Sequence, residues 1–153
     1  MMDPMSVDRS IVRVKAMIVV PSADGSHHLV SANGRTRENP LGFHRLIGGS
    51  VELGETFEQA IIREIDEELG ASIIDLTQLG VVESIFTCEG ALGHEVVAVF
   101  AGRLDPEPPK GGGTLTESDG TVVPVLWRSL SDDDVEIPLY PAAARDLVSA
   151  AMS

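Results

Sequence analysis

Cysteine, aromatic residues and positive charge are all scarce in this chain of 153 residues. The single cysteine, Cys88, excludes an internal disulfide, which suits a reducing compartment. We therefore expect a cytoplasmic protein in which Cys88 is a small, half-buried hydrophobic residue. No apolar run reaches the length of about 18 residues that a membrane helix needs, and the first residues lack the pattern of a signal peptide.

Positive charge is the most informative of these scarcities. The chain has 11 Lys and Arg against 24 Asp and Glu, a net charge of −13. Because nucleic-acid binding relies on Lys and Arg at phosphates, this balance argues against extended nucleic acid as a partner and disfavours capped RNA as a substrate. Small anionic substrates stay open, since a bound metal ion inverts the local charge. Arg35, Arg37 and Arg45 could reach a diphosphate; for each, scattered solubilising charge is the alternative.

The hydrophobic content of 43% is enough for one globular core. Residues 1–10 are predicted to be a flexible leader, and residues 11–153 a single domain. Alternating and β-branched residues predict strands at 11–20, 27–32, 43–47, 73–74, 79–88, 94–104 and 122–128. A closing helix is predicted at 141–152. Between the last strands, residues 105–121 are rich in proline and glycine and predict one long irregular loop. This order indicates an α/β or α+β fold with a mixed sheet between helices.

The stretch from Gly48 to Gly70 has the clearest local pattern in the chain. Thr56 can cap a helix, and Gln59, three residues later, completes a capping box. Gly70 suits the left-handed position that ends many helices. At about 100° per residue, the helix between them gathers its apolar residues into one stripe that can face a core, Ile61, Ile65 and Leu69.

An acidic cluster lies beside that stripe. Glu64, Glu67 and Glu68 fall on one arc of the helix, where like charges repel, and Arg63 is the only cation on the helix. A hard divalent cation would relieve the repulsion, because Mg²⁺ and Ca²⁺ prefer carboxylate oxygens. From the helix alone two alternatives stay open, a solvated acidic face and a plain Ca²⁺-binding structural helix.

The spacing of the whole stretch resembles the signature of the Nudix (MutT-like) hydrolases. Eight positions match that signature in residue type and spacing: Gly49, Glu55, Arg63, Glu64, Ile65, Glu67, Glu68 and Gly70. The final aliphatic position holds Ala71, which is smaller than usual. The resemblance implies the Nudix fold, an α/β/α sandwich with a central mixed sheet and the signature helix packed on it.

The resemblance also implies roles for individual residues. The metal-binding carboxylates would be Glu64, Glu67 and Glu68, approached by the backbone of a tight bend at Gly48 and Gly49. A framework ion pair of Arg63 and Glu55 would tie the loop to the helix, with Glu52 beside the metals. Glu117 is a candidate for a further base or metal ligand, with a solvated loop acid as the alternative. Gly93-His94-Glu95 matches a frequent family triplet without an assigned role.

The reaction implied is hydrolysis of a diphosphate linkage in a nucleoside diphosphate derivative, with Mg²⁺ or Mn²⁺ as cofactor. Nucleoside triphosphates, ADP-ribose and nucleotide sugars all stay open as substrates. Glu67 or Glu68 is the preferred general base, with Glu117 as rival. The alternative function is a non-catalytic Nudix-fold module that binds or senses a nucleotide. A homodimer is possible by the same resemblance, and His27, His28 and His44 are expected to be structural or surface residues.

Overall fold

The computed structural model describes residues 11–130 and 136–152, so the predicted leader at residues 1–10 lies outside it. Strands and helices follow one another in this order: β1 (Arg13–Val19), β2 (His27–Asn33), β3 (Phe43–Arg45), β4 (Ile47–Ser50), α1 (Phe57–Leu69), β5 (Ser72–Cys88), β6 (Ala91–Asp105), β7 (Gly113–Thr116), β8 (Val122–Ser129), β9 (Leu139–Tyr140) and α2 (Arg145–Met152). A short 3-10 turn, Ala142–Ala144, leads into α2. No helix in these ranges is long and apolar enough to cross a membrane.

The strands form two sheets, and each sheet is mixed. In the four-stranded sheet the order is β4-β1-β6-β5, with β1 parallel to β6 and the other pairs antiparallel. In the five-stranded sheet the order is β7-β8-β2-β3-β9, and only β3 and β9 run parallel. The prediction of a mixed sheet is confirmed, and the division of the strands into two sheets is added by the structure.

Side-chain alternation along β1 and β6 explains how the helices cover the four-stranded sheet. Successive side chains of a strand point to opposite faces. One face presents Ala16, Ile18, Ala98 and Phe100 to the core that contains Ile61 and Ile65 of α1. The other presents Met17, Val19, Val97 and Val99 to the core that contains Val148 of α2. The sheet is therefore enclosed between α1 and α2, and the predicted α/β/α sandwich is confirmed.

Helix α1 has the ends and the buried face that its sequence predicted. The Thr56 hydroxyl accepts from the Gln59 N–H at 3.1 Å, and the Gln59 side chain accepts from the Thr56 N–H at 2.9 Å. Gly70 ends the helix at φ 62°. Ile61 and Ile65 are fully buried and Leu69 packs against the same core. Because this stripe faces the core, the adjoining arc with the acidic cluster is directed away from the core.

Several predicted boundaries are wrong. Residues 105–121 do not form one irregular loop, because Gly113–Thr116 pairs with β8 and buries Leu115. The predicted break near Thr77 is a register shift inside a continuous β5. Strand β9 was not predicted, since a strand of two residues has no periodicity to detect.

Candidate active site

Two glycines of β4 set the floor of the site. They lie within a strand rather than in the predicted tight bend, opposite Met17 and Ala16 of β1. A Cβ at Gly48 would overlap the Ala16 carbonyl oxygen, and its φ of 153° is one that side-chain-bearing residues rarely adopt. A Cβ at Gly49 would overlap the carboxylate of Glu64. The first glycine therefore permits close strand pairing, and the second permits Glu64 to lie directly on the strand.

Arg63 uses all of its N–H groups, and its bonds join the helix to this strand and to the loop between them. Its Nε and Nη2 donate to the two Glu55 carboxylate oxygens at 2.7 and 2.9 Å, and Nη2 also donates to the Ser50 carbonyl at 2.9 Å. Its Nη1 donates to Glu64 at 3.0 Å and to Glu67 at 3.2 Å. The guanidinium can make five such bonds in a fixed plane, so it determines where both carboxylates lie.

The framework pair has strongly perturbed ionisation. Hydrogen bonds from Arg63, and one from the Glu52 N–H to the same carboxylate at 3.0 Å, together lower the pKa of Glu55 to about 2. The same hydrogen bond from Arg63 to Glu55 raises the pKa of the guanidinium above its usual value. The Glu52 carboxylate lies 3.8 Å from Arg63 Nη1 and is mostly exposed. Both partners of the pair are therefore charged at any physiological pH.

The pKa of Glu68 shifts in the opposite direction. The pKa of Glu68 is raised to about 8, first by burial and then by the charge of Glu64 and a hydrogen bond with it. The charge of Glu117 adds to the rise, while Arg45 opposes it. Burial also raises the pKa of Glu117, with the charge of Asp119 contributing. The acids of this cluster thus crowd one another, which disfavours the charged form of Glu68.

The donor chemistry of the cluster fits a hard divalent cation. Carboxylate oxygens are the ligands that Mg²⁺ and Mn²⁺ prefer, and a cation would relieve the crowding of Glu64 and Glu68. Within residues 11–130 and 136–152, no three His, Cys, Asp or Glu side chains are gathered closely enough to enclose an ion. The Glu67 carboxylate is instead hydrogen-bonded by Arg63 Nη1 at 3.2 Å.

Cations lie across from the acids, and one of them was not predicted from the sequence. Lys15 of β1 is 7% exposed, and its Nζ donates to the Ser50 hydroxyl at 2.8 Å. Burial lowers the pKa of Lys15 to about 8, as do the charges of Arg45 and Arg13, whereas Glu95 and Glu64 oppose the change. A lysine in an alternating strand has no local signal. Only the pairing of β1 with β4 and β6 brings it beside the site.

The three arginines predicted to bind substrate are placed differently. Arg45 contacts the buried Glu95 carboxylate at 3.3 Å, which gives a position to the last residue of the Gly93-His94-Glu95 triplet. The Arg37 side chain lies against Gly90, and its N–H donates to Glu89 at 2.8 Å. Arg35 is exposed. Of the three, the structure brings Arg45 to the acidic cluster. Arg37, in the loop between β2 and β3, instead packs against the hairpin between β5 and β6.

The histidines of the chain lie outside the acidic cluster. His28 is buried, and burial lowers its pKa to about 4. His44 Nδ1 lies 2.9 Å from Arg128, and His27 Nδ1 lies 2.6 Å from the Ser26 hydroxyl. His94 lies 3.6 Å from Glu83. His27, His44 and His94 each have a polar neighbour, whereas the buried Nδ1 of His28 has no hydrogen-bond partner among the described residues.

Comparison with protein families gives this arrangement a class. The NUDIX domain model matches residues 12–146. The chain therefore belongs to the NUDIX family. Among curated proteins, the NAD-capped RNA hydrolase NudC of Haemophilus influenzae is 29% identical over 135 residues, covering 88% of this chain and 47% of NudC. The putative mutator protein MutT4 of Mycobacterium tuberculosis is 37% identical over 79 residues, covering 52% of this chain and 29% of MutT4. The chain thus spans less than half the length of these relatives.

Solved structures agree on the fold. A MutT NUDIX hydrolase from Burkholderia pseudomallei superposes with a TM-score of 0.63 at 28% identity, covering 94% of this chain and 97% of that one. A MutT protein from Bacillus halodurans gives a TM-score of 0.62 at 18% identity, covering 92% and 82%, and so supports the fold alone.

Proposed function

We propose that this protein hydrolyses a phosphoanhydride bond in a nucleoside diphosphate derivative, with Mg²⁺ or Mn²⁺ held by Glu64, Glu67, Glu68 and the backbone at Gly49. One observation carries the proposal. The Glu64 carboxylate lies on a glycine floor beside the crowded Glu68, and Lys15 and Arg45 face this acidic cluster. A site with carboxylates on one side and a buried lysine and a half-buried arginine on the other suits a diphosphate whose negative oxygens must be neutralised.

This proposal gives each side chain of the site a role in the reaction. When bound, the metal would neutralise phosphate oxygens and lower the pKa of a water molecule. Arg63 and Glu55 hold the carboxylates in position, with Glu52 at the edge of the framework. Lys15 and Arg45 hold the phosphate that lies away from the carboxylates. Glu67 is the preferred general base because it is the most exposed of the three, with a side chain 54% exposed, and Glu68 is the second candidate.

Glu117 is the rival base from outside the helix. It sits on the turn between β7 and β8, where its N–H donates to the Thr121 carbonyl at 2.8 Å. Its charge reaches Glu68, which supports a place at the edge of the site. An E117Q variant that lost as much turnover as E67Q would give Glu117 the role of base instead.

The direct test is product release from a nucleotide panel, with Mg²⁺, with Mn²⁺ and after metal removal. The panel holds nucleoside triphosphates, ADP-ribose and nucleotide sugars. Replacing Glu67 by Gln should lower kcat by about 10² to 10⁴, the usual contribution of a general base. The matched control is D66N, because Asp66 is an exposed acid on the opposite flank of the same helix. Normal turnover in E67Q would remove the assignment of Glu67.

The similarity to NudC favours a second candidate within the same chemistry, the diphosphate of NAD or of an NAD-capped RNA. It rests on 29% identity across 88% of this chain. The net charge of −13 opposes a long RNA, so we propose the free dinucleotide before the capped one. Hydrolysis rates of NAD and of NAD-capped RNA, measured at two salt concentrations, separate the two.

The other expectations remain proposals. A non-catalytic nucleotide-binding module would bind members of the same panel and release no product. We propose a cytoplasmic location, which cell fractionation tests. We also propose a homodimer, which sedimentation analysis tests.

A further inference from the structure

A cleft of about 700 Å³ opens on the five-stranded sheet. One wall is the turn between β1 and β2, which contributes Asp24 and His27. The other is the loop between β6 and β7, which contributes Glu107 and Lys110, and Trp127 of β8 also lines the cleft. None of the lining residues belongs to α1 or β4, which carry the acidic cluster and its glycine floor. The cleft is therefore distinct from the site of the proposed hydrolysis.

The loop wall is held in place by Trp127. Its indole N–H donates to the Pro109 carbonyl at 2.8 Å, and the Gly112 N–H donates to the same carbonyl at 2.9 Å. Gly112 lies so close to β8 that a Cβ there would overlap the Val125 carbonyl oxygen. The Trp127 ring itself packs against the core that contains α1. A wall that is already ordered loses less conformational entropy when a ligand binds.

The turn wall is organised around the Asp24 carboxylate. The hydroxyls of Ser22 and Ser26 donate to its Oδ1 at 2.7 and 2.6 Å, and the Ser26 N–H donates to the same oxygen at 3.0 Å. These hydrogen bonds, those from Ser26 first, hold the pKa of Asp24 well below its usual value. Among the residues that the structure describes, none donates to Oδ2. Asp24 is therefore a charged group with one oxygen left to accept from a ligand.

The same network fixes which nitrogen of His27 carries a proton. Ser26 Oγ lies 2.6 Å from His27 Nδ1. A carboxylate only accepts hydrogen bonds, so the single hydroxyl proton of Ser26 is already given to Asp24. Nδ1 must then be the donor to Ser26 Oγ, which leaves Nε2 as an acceptor in the neutral ring. Both side chains of this wall thus offer acceptors to a ligand.

The charges around the cleft select the kind of ligand. Asp24 and Glu107 are acidic and Lys110 is the one cation among the lining residues, so a phosphate would meet more repulsion than attraction. A guanidinium suits the cleft better, because it is a planar cation with five N–H donors that stacks on aromatic rings such as Trp127. Lys110 is left to pair with a carboxylate elsewhere on the same ligand.

We propose that this cleft binds a small guanidinium compound that also carries a carboxylate, the chemistry of free arginine. The guanidinium lies against Trp127 and donates to Asp24 and to His27 Nε2. Glu107 adds a second negative charge near the cation, and Lys110 binds the carboxylate of the ligand. This site is independent of the proposed hydrolysis and needs no metal.

Trp127 also provides the measurement, because it is the only tryptophan in the chain. Its emission is titrated with arginine, with agmatine, which lacks the carboxylate, and with citrulline, a neutral compound of nearly the same shape. Arginine should change the emission in a saturable way. Citrulline should bind about tenfold more weakly or less, since it lacks the cation that pairs with the carboxylates and the ring. Agmatine should bind about two- to fivefold more weakly than arginine, the effect of one exposed ion pair. Isothermal titration gives the same affinities independently.

Two variants separate the ends of the ligand. Glu107→Gln should weaken arginine and agmatine alike by about two- to fivefold, whereas Lys110→Gln should weaken arginine by that factor and leave agmatine unchanged. Both side chains are exposed, so the fold should tolerate either change. The matched control is E58Q, because Glu58 is an exposed acid in the first turn of α1, outside the cleft.

The outcomes decide the proposal without reference to turnover. Saturable binding of arginine with a Kd of about 1 mM or tighter, and weaker binding of citrulline, supports it. Absence of arginine binding in that range, or equal binding of citrulline, overturns it. Equal loss of arginine binding in E58Q and E107Q would also overturn it, because the effect would then be a general one of net charge. Hydrolysis of nucleotides by the unmodified protein is compatible with every one of these results.

Discussion

Gly49 offers the sharpest test of the proposed metal site, because a single methyl group changes one contact there. An alanine Cβ would lie 2.6 Å from each Glu64 carboxylate oxygen, closer than unbonded atoms approach. The carboxylate carbon Cδ lies closer still, so to regain an ordinary separation of 3.4 Å the carboxylate must retreat by about 1 Å. The obstacle is a side chain and not backbone, so the fold can absorb the change. We therefore expect G49A to fold and its active site to fail.

The magnitude follows from that displacement. Misplacing a catalytic group by about 1 Å costs about 10²-fold in rate, so kcat of G49A should fall by about that factor. Loss of stability should be about 1 kcal/mol for each strained hydrogen bond, and Glu64 makes two, with Arg63 and with Glu68.

Turnover, Mn²⁺ affinity by paramagnetic resonance and thermal unfolding are measured together on G49A and on G34A. Gly34 has open space around its Cβ direction and no positive φ, so G34A is the matched control. A G49A enzyme with the turnover and Mn²⁺ affinity of the unmodified protein would refute the placement of the metal against Glu64.

Two further predictions concern stability. Because the pKa of Glu55 is lowered from 4.5 to about 2, its charge stabilises the fold above pH 4.5 and this stabilisation is lost as the pH falls toward 2. The unfolding temperature of E55Q should therefore lie below that of the unmodified protein at pH 7, and the difference should shrink between pH 4.5 and 2; a constant difference would contradict the cause given. Ile65→Ala should cost about 2 to 5 kcal/mol in denaturant unfolding, because Ile65 is fully buried, whereas Ile62→Ala at 47% exposure should cost far less. Similar losses for both would show that the apolar stripe is not the buried face.

Helix α1 illustrates how much of the fold is local. Its cap, its C-terminal glycine and its apolar stripe are set by residues within about one or two turns of each other, so periodicity and capping chemistry identify them. The succession of most strands along the chain was also predicted from alternation. Strand β7 was missed because its four residues, with a single buried side chain at Leu115, carry too little periodicity.

The sequence by itself determined the acidic arc, because it follows from fixed spacing on one helix, and the resemblance to the Nudix signature implied the pairing of Arg63 with Glu55. Only the tertiary structure decided that Lys15 faces Glu64, that Arg45 meets Glu95, and that Arg37 joins a hairpin. Those contacts link residues up to about fifty positions apart, and their existence depends on strand order and register. A register shift of one residue would turn Lys15 to the other face of β1, with no change in any local pattern.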